Sequence, residues 1–116
     1  EDILAALYVF REGGCEDTVV SVCEVEHPTA WVGTMGENAQ LEGIDLSGKR
    51  SQDYQKEYRL NGAVYVARTG CLVNSGSLFT ERLYASVMPR VRSLDIDDYW
   101  DYKLAEVLFG MKLISH

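Results

Sequence analysis

A short β-branched run, Thr18 to Val25, is the feature that most constrains how this chain folds. It reads Thr-Val-Val-Ser-Val-Cys-Glu-Val, and the adjacent Val19 and Val20 break the alternation that is typical of a half-exposed strand. The run therefore predicts a strand buried on both faces. Such a strand needs a layer of structure packed on each side, so the sequence favours an α/β protein.

Helices and strands are predicted in a definite order around this run. Apolar residues recur at helical spacing through residues 2–12, and Gly13-Gly14 supplies a left-handed stop. The glycine-rich segment 27–56 predicts a β-hairpin outside the core. Further strands are expected at 58–67, 82–88 and 93–96, with a helical turn at 70–75 and an amphipathic helix from Asp97 onward. We expect the strand at 58–67 to be buried on both faces beyond Gly62.

This order of elements predicts half of a three-layer α/β/α fold with a mixed sheet. Two flanking helices cannot cover both faces of a wide sheet. We therefore expect either that an N-terminal half precedes these residues or that the chain dimerises to bury its exposed apolar surface. Because the chain begins with Glu1 rather than Met, we also expect that its native N-terminus was removed or not included.

The composition excludes several classes of partner. Eighteen Asp and Glu residues against eleven Lys and Arg give a net charge of −7, so no nucleic-acid partner is expected. The apolar runs are far shorter than the roughly 20 residues of a membrane span, so no membrane partner is expected either. Cys15, Cys23 and Cys71 are too few and too irregularly spaced for a zinc site or a disulfide framework. Reduced cysteines predict a cytoplasmic location.

Two carboxylates near the C-terminus form the first candidate site. In a strand at 93–96, residues two apart share a face, so Asp95 and Asp97 would lie about 7 Å apart at Cα. A hard cation such as Mg²⁺ relieves the repulsion between neighbouring carboxylates and bridges to substrate phosphates. The alternative interpretation is that Asp97 and Asp98 cap the helix that follows.

A polar cluster around the start of the strand at 58–67 forms the second candidate site. It consists of Arg50, Gln52, Asp53, Lys56, Arg59 and Asn61. Arginine suits a bidentate grip on a carboxylate or phosphate, and Asn61 precedes Gly62, where backbone can approach a ligand closely. The alternative is a solvated surface with Asn-Gly as a turn. His27, beside Pro28, fits a structural role better than a catalytic one.

Three blocks of the sequence occur in a specific order. They are residues 18–28 (TVVSVCEVEHP), 59–66 (RLNGAVYV) and 93–97 (SLDID), and the pattern continues into the last helix. Together they resemble the C-terminal half of the N-acylneuraminate cytidylyltransferases, also called CMP-sialic acid synthetases. The resemblance implies that residues 1–116 are the C-terminal part of one cytidylyltransferase domain with an α/β nucleotidyltransferase fold.

The resemblance also implies a reaction and its ligands. In the family, the anomeric hydroxyl of a nine-carbon 2-keto acid sugar attacks the α-phosphate of CTP and releases pyrophosphate. Asp95 and Asp97 match the family's metal-binding carboxylates, which implies Mg²⁺ as the cofactor of the intact enzyme. Arg59 and Asn61 fall where the family contacts the acidic sugar, and Tyr65 lies beside them. Gln52 and Arg50 are further candidates for substrate binding.

An oligomeric state follows from the same resemblance. Residues 29–56 correspond to the family's dimerisation arm, a protruding β-hairpin that reaches over the neighbouring subunit and helps to complete its sugar site. Phe79 lies near aromatic residues that the family contributes across the dimer. A homodimer is therefore expected.

One family motif does not occur in this sequence. The N-terminal loop of the type Ala-Arg-x-Gly-Ser-Lys-Gly, which holds CTP in the family, has no counterpart within these residues. The fragment alone is therefore predicted to be inactive. The alternative function is a non-catalytic dimerisation or acidic-sugar-binding module derived from the enzyme.

Overall fold

A computed structural model describes residues 1–111 and shows an α/β chain with a mixed three-stranded sheet and a second, two-stranded sheet. The elements are α1 (Asp2–Glu12), β1 (Thr18–Glu24), β2 (Thr34–Met35), β3 (Leu41–Glu42), β4 (Tyr58–Val66), α2 (Thr69–Ser75), β5 (Leu83–Val87) and α3 (Tyr99–Gly110). The chain divides into two compact units, a first unit of residues 1–23 with those from 60 onward, and a second unit of residues 24–59.

The core of the first unit is built around β1. This strand lies between β4 and β5 and pairs in parallel with β5. Its first six residues, Thr18 to Cys23, are all buried, and α1 packs against β5 with Ala6 buried. The prediction that this β-branched run forms a strand buried on both faces is confirmed, because hydrogen-bonded strands flank it and side chains are buried on both of its faces.

The strand β4 is less buried than the sequence predicts. We expected burial on both faces beyond Gly62, but Asn61 is the buried residue of this strand and Tyr65 is 42% exposed. The reason is its position at the end of the strand order, where the described chain supplies β1 as its neighbour. An apolar sequence therefore lies here in a strand with exposed side chains.

The short strand expected at 93–96 is absent, and that prediction is wrong. Residues Arg90–Arg92 form a 3₁₀ turn directly after Pro89, and the N–H of Ser93 donates to the carbonyl of Arg90 at 3.0 Å. The backbone donor is thus used within a local turn rather than in a sheet ladder. The alternation argument that placed Asp95 and Asp97 on one face of a strand does not apply to this segment.

Both long helices form where the sequence predicts them. The chain leaves α1 through a left-handed Gly14 (φ 82°) and Cys15 (φ 59°), and Asp98 is the N-cap of α3. Their apolar residues are largely exposed, and the most exposed are Ile3, Leu4, Tyr8, Tyr99, Trp100 and Phe109. This agrees with the expectation that two helices leave apolar surface uncovered. None of the helices within residues 1–111 is long and apolar enough to cross a membrane.

The second unit contains a short antiparallel strand pair, and whether residues 29–56 act as a dimerisation arm stays a prediction. Strands β2 and β3 pair antiparallel, with Met35 opposite Leu41. Only glycine fits at position 33, because a Cβ there would lie 2.3 Å from the carbonyl oxygen of Glu42. At the base of this unit the N–H of Val25 donates to the carbonyl of Glu57 at 3.0 Å, which brings the two ends of the segment together.

Candidate functional site

A buried polar cluster lies beneath β4 in the first unit. The Asn61 amide Nδ2 donates to Ser93 Oγ at 2.9 Å and contacts Met88 Sδ at 3.4 Å, and its Oδ1 accepts from Ser21 Oγ and from the N–H of Ala63. Asn61, Ser21 and Ser93 are 7%, 2% and 3% exposed. The cluster therefore ties β1, β4 and the segment after β5 together through one side chain.

The Asn61 amide is fully occupied in this arrangement. An asparagine side chain has two N–H donors and two acceptor lone pairs, and each of the four has a protein partner here. The Oδ1 contact to Ala63 spans Gly62, whose φ of 71° is a left-handed value that glycine adopts without strain. Asn61 and Gly62 thus form a local turn inside β4, and the amide faces the core.

The two predicted metal-binding carboxylates lie on the segment between the 3₁₀ turn and α3. Asp95 and Asp97 are exposed, and no residue within 1–111 donates a hydrogen bond to either carboxylate. Free carboxylate oxygens are the donors that Mg²⁺ prefers, so the chemistry of these two residues fits that cation. The described residues contain no group of three or more potential metal ligands, so a cation here would need further ligands from substrate or water.

The carboxylates of Asp98 and Asp101 cap the N-terminus of α3. Asp98 accepts from the N–H of Asp101 at 2.9 Å, and the Asp101 carboxylate accepts from the N–H groups of Asp97 and Asp98 at 3.1 and 3.3 Å. This reciprocal capping box begins α3. Of the two candidate caps, the structure assigns the N-cap to Asp98, which leaves the Asp97 side chain free for another role.

Two of the predicted sugar-binding residues form an aromatic pair in the first unit. The rings of Tyr65 and Phe79 lie 6.1 Å apart between centroids in an edge-to-face arrangement. Both rings are almost half exposed, at 42% and 48%. The pair offers an apolar surface with one phenol group, a combination that can pack against the apolar face of a sugar ring.

The second unit contains the other predicted substrate-binding residues. Gln52 lines a cavity of about 310 Å³ together with His27, Tyr54, Lys56 and Glu57. Arg50 lies outside this lining, and its guanidinium forms an exposed ion pair with Asp53 at 3.5 Å. Arg59 is half-buried in the first residues of β4. The structure therefore does not group the two arginines with Gln52 around one cavity.

An aromatic cluster supports this cavity. His27 stacks on Trp31 at 6.0 Å between ring centroids, Trp31 meets the edge of Tyr54 at 6.1 Å, and Lys49 Nζ lies 4.6 Å from the Tyr54 ring. The stacking gives His27 the structural role that the sequence favours. The Tyr54 hydroxyl donates to Asp45 at 2.6 Å and, with the N–H of Ser47, lowers the pKa of that carboxyl to about 2.

Sequence reasoning did not identify the aromatic cluster or the role of Ser93. Trp31 and Tyr54 are separated by a glycine-rich segment without periodicity, so no spacing brings them together in the sequence. Ser93 directly precedes the Leu-Asp-Ile-Asp motif, and this position beside the two candidate metal ligands is the sequence signal for its role. Whether Arg50, Gln52, Arg59, Asn61, Tyr65 and Phe79 bind substrate stays a prediction.

Comparison with known proteins gives a consistent result. The chain is 35% identical over 88 residues to the N-acylneuraminate cytidylyltransferase of Streptococcus agalactiae serotype V, and 37% identical over 89 residues to that of serotype III. It is 31% identical over 104 residues to the enzyme of the same name from Escherichia coli. These matches include 74%, 74% and 89% of the chain but only 21%, 21% and 25% of the relatives. No protein-family profile matches the chain.

The fold and the site together define an α/β protein with an exposed pair of carboxylates after its sheet. The relatives give that class a name, and the resemblance predicted from the three sequence blocks is confirmed: the chain is related to the N-acylneuraminate cytidylyltransferases. It spans about a fifth to a quarter of the length of the curated relatives that it matches.

Proposed function

We propose that this chain is the metal-binding and sugar-binding part of a cytidylyltransferase that activates a sialic-acid-like 2-keto acid sugar with CTP, giving a CMP-sugar and pyrophosphate. The observation that supports the proposal most strongly is the similarity to N-acylneuraminate cytidylyltransferases over 74–89% of the chain. A cytoplasmic location is part of the proposal, and it agrees with three free cysteines in the described chain.

Asp95 and Asp97 are the residues that would hold Mg²⁺. Their carboxylates are exposed and are not used by the capping box of α3, which depends on Asp98 and Asp101. Bound Mg²⁺ would stabilise negative charge on the CTP phosphates and lower the pKa of the attacking sugar hydroxyl. Two carboxylates bind this ion weakly without phosphate ligands, so occupancy should rise when CTP is present.

Each unit offers groups that suit an acidic sugar. Arg59 offers a guanidinium for the sugar carboxylate, with Arg50 and Gln52 as further polar contacts. Tyr65 and Phe79 offer adjacent exposed rings. We propose a homodimer in which residues 29–56 act as the arm, since the hairpin of this segment exposes Met35 (70%) and Leu41 (64%) for contact with a second copy.

A second candidate is a module that binds the acidic sugar or dimerises without catalysis. The observation that favours it is the exposed aromatic pair of Tyr65 and Phe79, which would contact a sugar without any nucleotide. The two candidates differ in one property, because both predict binding of the sugar but only the first predicts turnover of CTP by a longer protein that contains these residues.

Release of pyrophosphate tests the proposal. The longest natural form of the protein that contains these residues is incubated with CTP, Mg²⁺ and a panel of 2-keto acid sugars, and sugar binding is measured in parallel by calorimetry. Release that requires both sugar and metal supports the cytidylyltransferase. Sugar binding without release supports the second candidate, and neither binding nor release contradicts both.

The variant Asp95→Asn tests the assignment of the metal site in a protein that shows turnover. We expect a loss of turnover on the order of 100-fold with little change in Tm, because the exposed carboxylate has no structural partner within residues 1–111. Asp98→Asn is the matched control, since it removes a charge from the same segment and asparagine still caps a helix. Equal turnover in Asp95→Asn and the parent removes Asp95 from the mechanism.

A further inference from the structure

Ser93 lies where the buried cluster meets the exposed carboxylate segment. Its Oγ accepts from Asn61 Nδ2 at 2.9 Å and donates to the carbonyl of Pro89 at 2.8 Å. Ser93 is 3% exposed, whereas Asp95, two residues further along the chain, is exposed. The serine is thus the last buried residue before the two carboxylates.

The neighbouring residue adds a second anchor to the same point. The Arg92 guanidinium donates to both carboxylate oxygens of Asp2 in α1, at 2.9 Å each. This ion pair is only about a quarter exposed, at 24% and 23% for the two side chains. The backbone of residues 92 and 93 is therefore fixed to α1 on one side and to Asn61 on the other.

The far end of the segment is fixed as well. The capping box of Asp98 and Asp101 holds the N–H groups of Asp97 and Asp98 at the start of α3. Asp95 and Asp97 thus lie on a short stretch that is anchored at Ser93 and again at Asp98. Because this stretch is not part of a sheet, these end anchors take the place of strand pairing in defining where the two carboxylates lie.

We propose that Ser93, held by Asn61, is a positioning residue that orients Asp95 and Asp97 for binding a divalent cation. The inference rests on the proposed function for the assignment of the two carboxylates to Mg²⁺. It gives Asn61 a role different from the sugar contact predicted for it, since all four hydrogen-bonding positions of its amide are used inside the protein. The Ser93 hydroxyl bonds to Asn61 and to the Pro89 carbonyl, so it acts by fixing the backbone that carries the two carboxylates. Groups beyond the metal ligands change metal affinity in this way without touching the ion.

The chain contains a matched control for this role. Ser21 is as buried as Ser93, and its hydroxyl donates to Oδ1 of the same Asn61 side chain. It belongs to β1, the central strand, and not to the segment that carries the two carboxylates. Ser93→Ala and Ser21→Ala each remove one buried hydroxyl and leave a buried polar group without its partner, so both should lower stability. Only Ser93→Ala should also increase the motion of the segment that carries Asp95 and Asp97, and so weaken its affinity for a divalent cation.

The test uses Mn²⁺ as a paramagnetic probe, since oxygen ligands that suit Mg²⁺ also bind Mn²⁺. Backbone amide signals of the 116-residue chain are followed by NMR during a Mn²⁺ titration, and unfolding by urea is measured for each variant. We expect broadening at Asp95 and Asp97 in the parent and in Ser21→Ala at the same Mn²⁺ concentration. Ser93→Ala should need roughly tenfold more Mn²⁺ for the same broadening.

Two results overturn the proposal: equal Mn²⁺ affinity in all three proteins, or an equal loss in Ser93→Ala and Ser21→Ala. If Ser93→Ala does not fold, Ser93→Cys is measured instead and is judged by the same outcomes. A parent without broadening at Asp95 and Asp97 contradicts the metal site of the proposed function. The ordering of residues 95–98 by Ser93 is tested separately by hydrogen exchange, which must be faster at these residues in Ser93→Ala than in Ser21→Ala; equal exchange overturns that ordering as well.

Discussion

The ion pair between Asp2 and Arg92 joins the first helix to the turn that precedes the carboxylate segment. The hydrogen bonds from Arg92 lower the pKa of Asp2 below its ordinary value of 3.8. A carboxyl with a lowered pKa in the folded state stabilises that state above its unfolded pKa. This contribution disappears as the pH falls below 3.8 and through the folded-state pKa.

The variant Asp2→Asn tests this contribution. We expect its Tm to be a few degrees below that of the parent at about pH 5 to 7, and the difference to shrink as the pH falls below about 3.8. Asp17→Asn is the control, because its partner Arg82 is 71% exposed and a surface ion pair contributes little. A Tm difference for Asp2→Asn that stays constant down to low pH contradicts the assignment.

A second residue-scale prediction concerns the hydroxyl of Tyr54. Its hydrogen bond is the largest cause of the lowered pKa of Asp45, about 2, and the N–H of Ser47 is the next. Tyr54→Phe should therefore raise the pKa of Asp45 towards 3.8 without reaching it, as measured by NMR titration of the carboxyl carbon. Tyr58→Phe should leave this pKa unchanged. A pKa still near 2 in Tyr54→Phe would show that the tyrosine hydroxyl has no part in the shift.

At the scale of elements, the structure identifies Asp98 as the N-cap of α3, whereas the sequence allowed either Asp97 or Asp98. Asp98→Ala removes the side chain that accepts from the N–H of Asp101, and we expect it to reduce the free energy of unfolding by about 1 kcal/mol. Asp98→Asn should retain most of that stability. Urea unfolding measures both, and equal stability of Asp98→Ala and the parent would mean that the capping box does not stabilise the helix.

The same region shows why some elements could be predicted and others could not. The β-branched run at 18–24 and the periodic segment at 2–12 have strong local signals, and both elements form as expected. Residues 93–96 have strand-like composition, but the turn after Pro89 uses the N–H of Ser93 locally. The exposure of β4 likewise depends on its place at the end of the strand order, which local composition does not encode.

On the scale of the whole molecule, the α/β class and the order of the main elements could be predicted, whereas the grouping of site residues could not. Asp95 and Asp97 were found from a local motif. The burial of Asn61 arises from Ser21 and Ser93, which are 40 and 32 residues away in the sequence. Long-range hydrogen bonds of this kind leave no periodic signal. A single sequence therefore does not show whether Asn61 is exposed to bind a substrate or buried to hold the fold together.

The proposed homodimer gives a prediction at this scale. Met35 and Leu41 face each other across the β2–β3 pair and are both exposed, so Leu41→Glu should weaken a dimer formed through this hairpin. Light scattering after size exclusion should give twice the chain mass of 13.0 kDa for the parent and a lower mass for the variant. Gln40→Glu adds the same charge outside the strand pair and should remain dimeric. A parent mass of 13.0 kDa contradicts the dimer.

The hydrogen bond between Val25 and Glu57 closes the second unit at its base, directly after β1 and directly before β4. The stretch between these two residues is therefore a loop whose two ends lie side by side. Each doubling of a flexible loop costs only about 0.6 kcal/mol in chain entropy. We therefore expect the three-stranded sheet to tolerate insertions and deletions between residues 26 and 56, because Val25 and Glu57 hold the two ends of this stretch together.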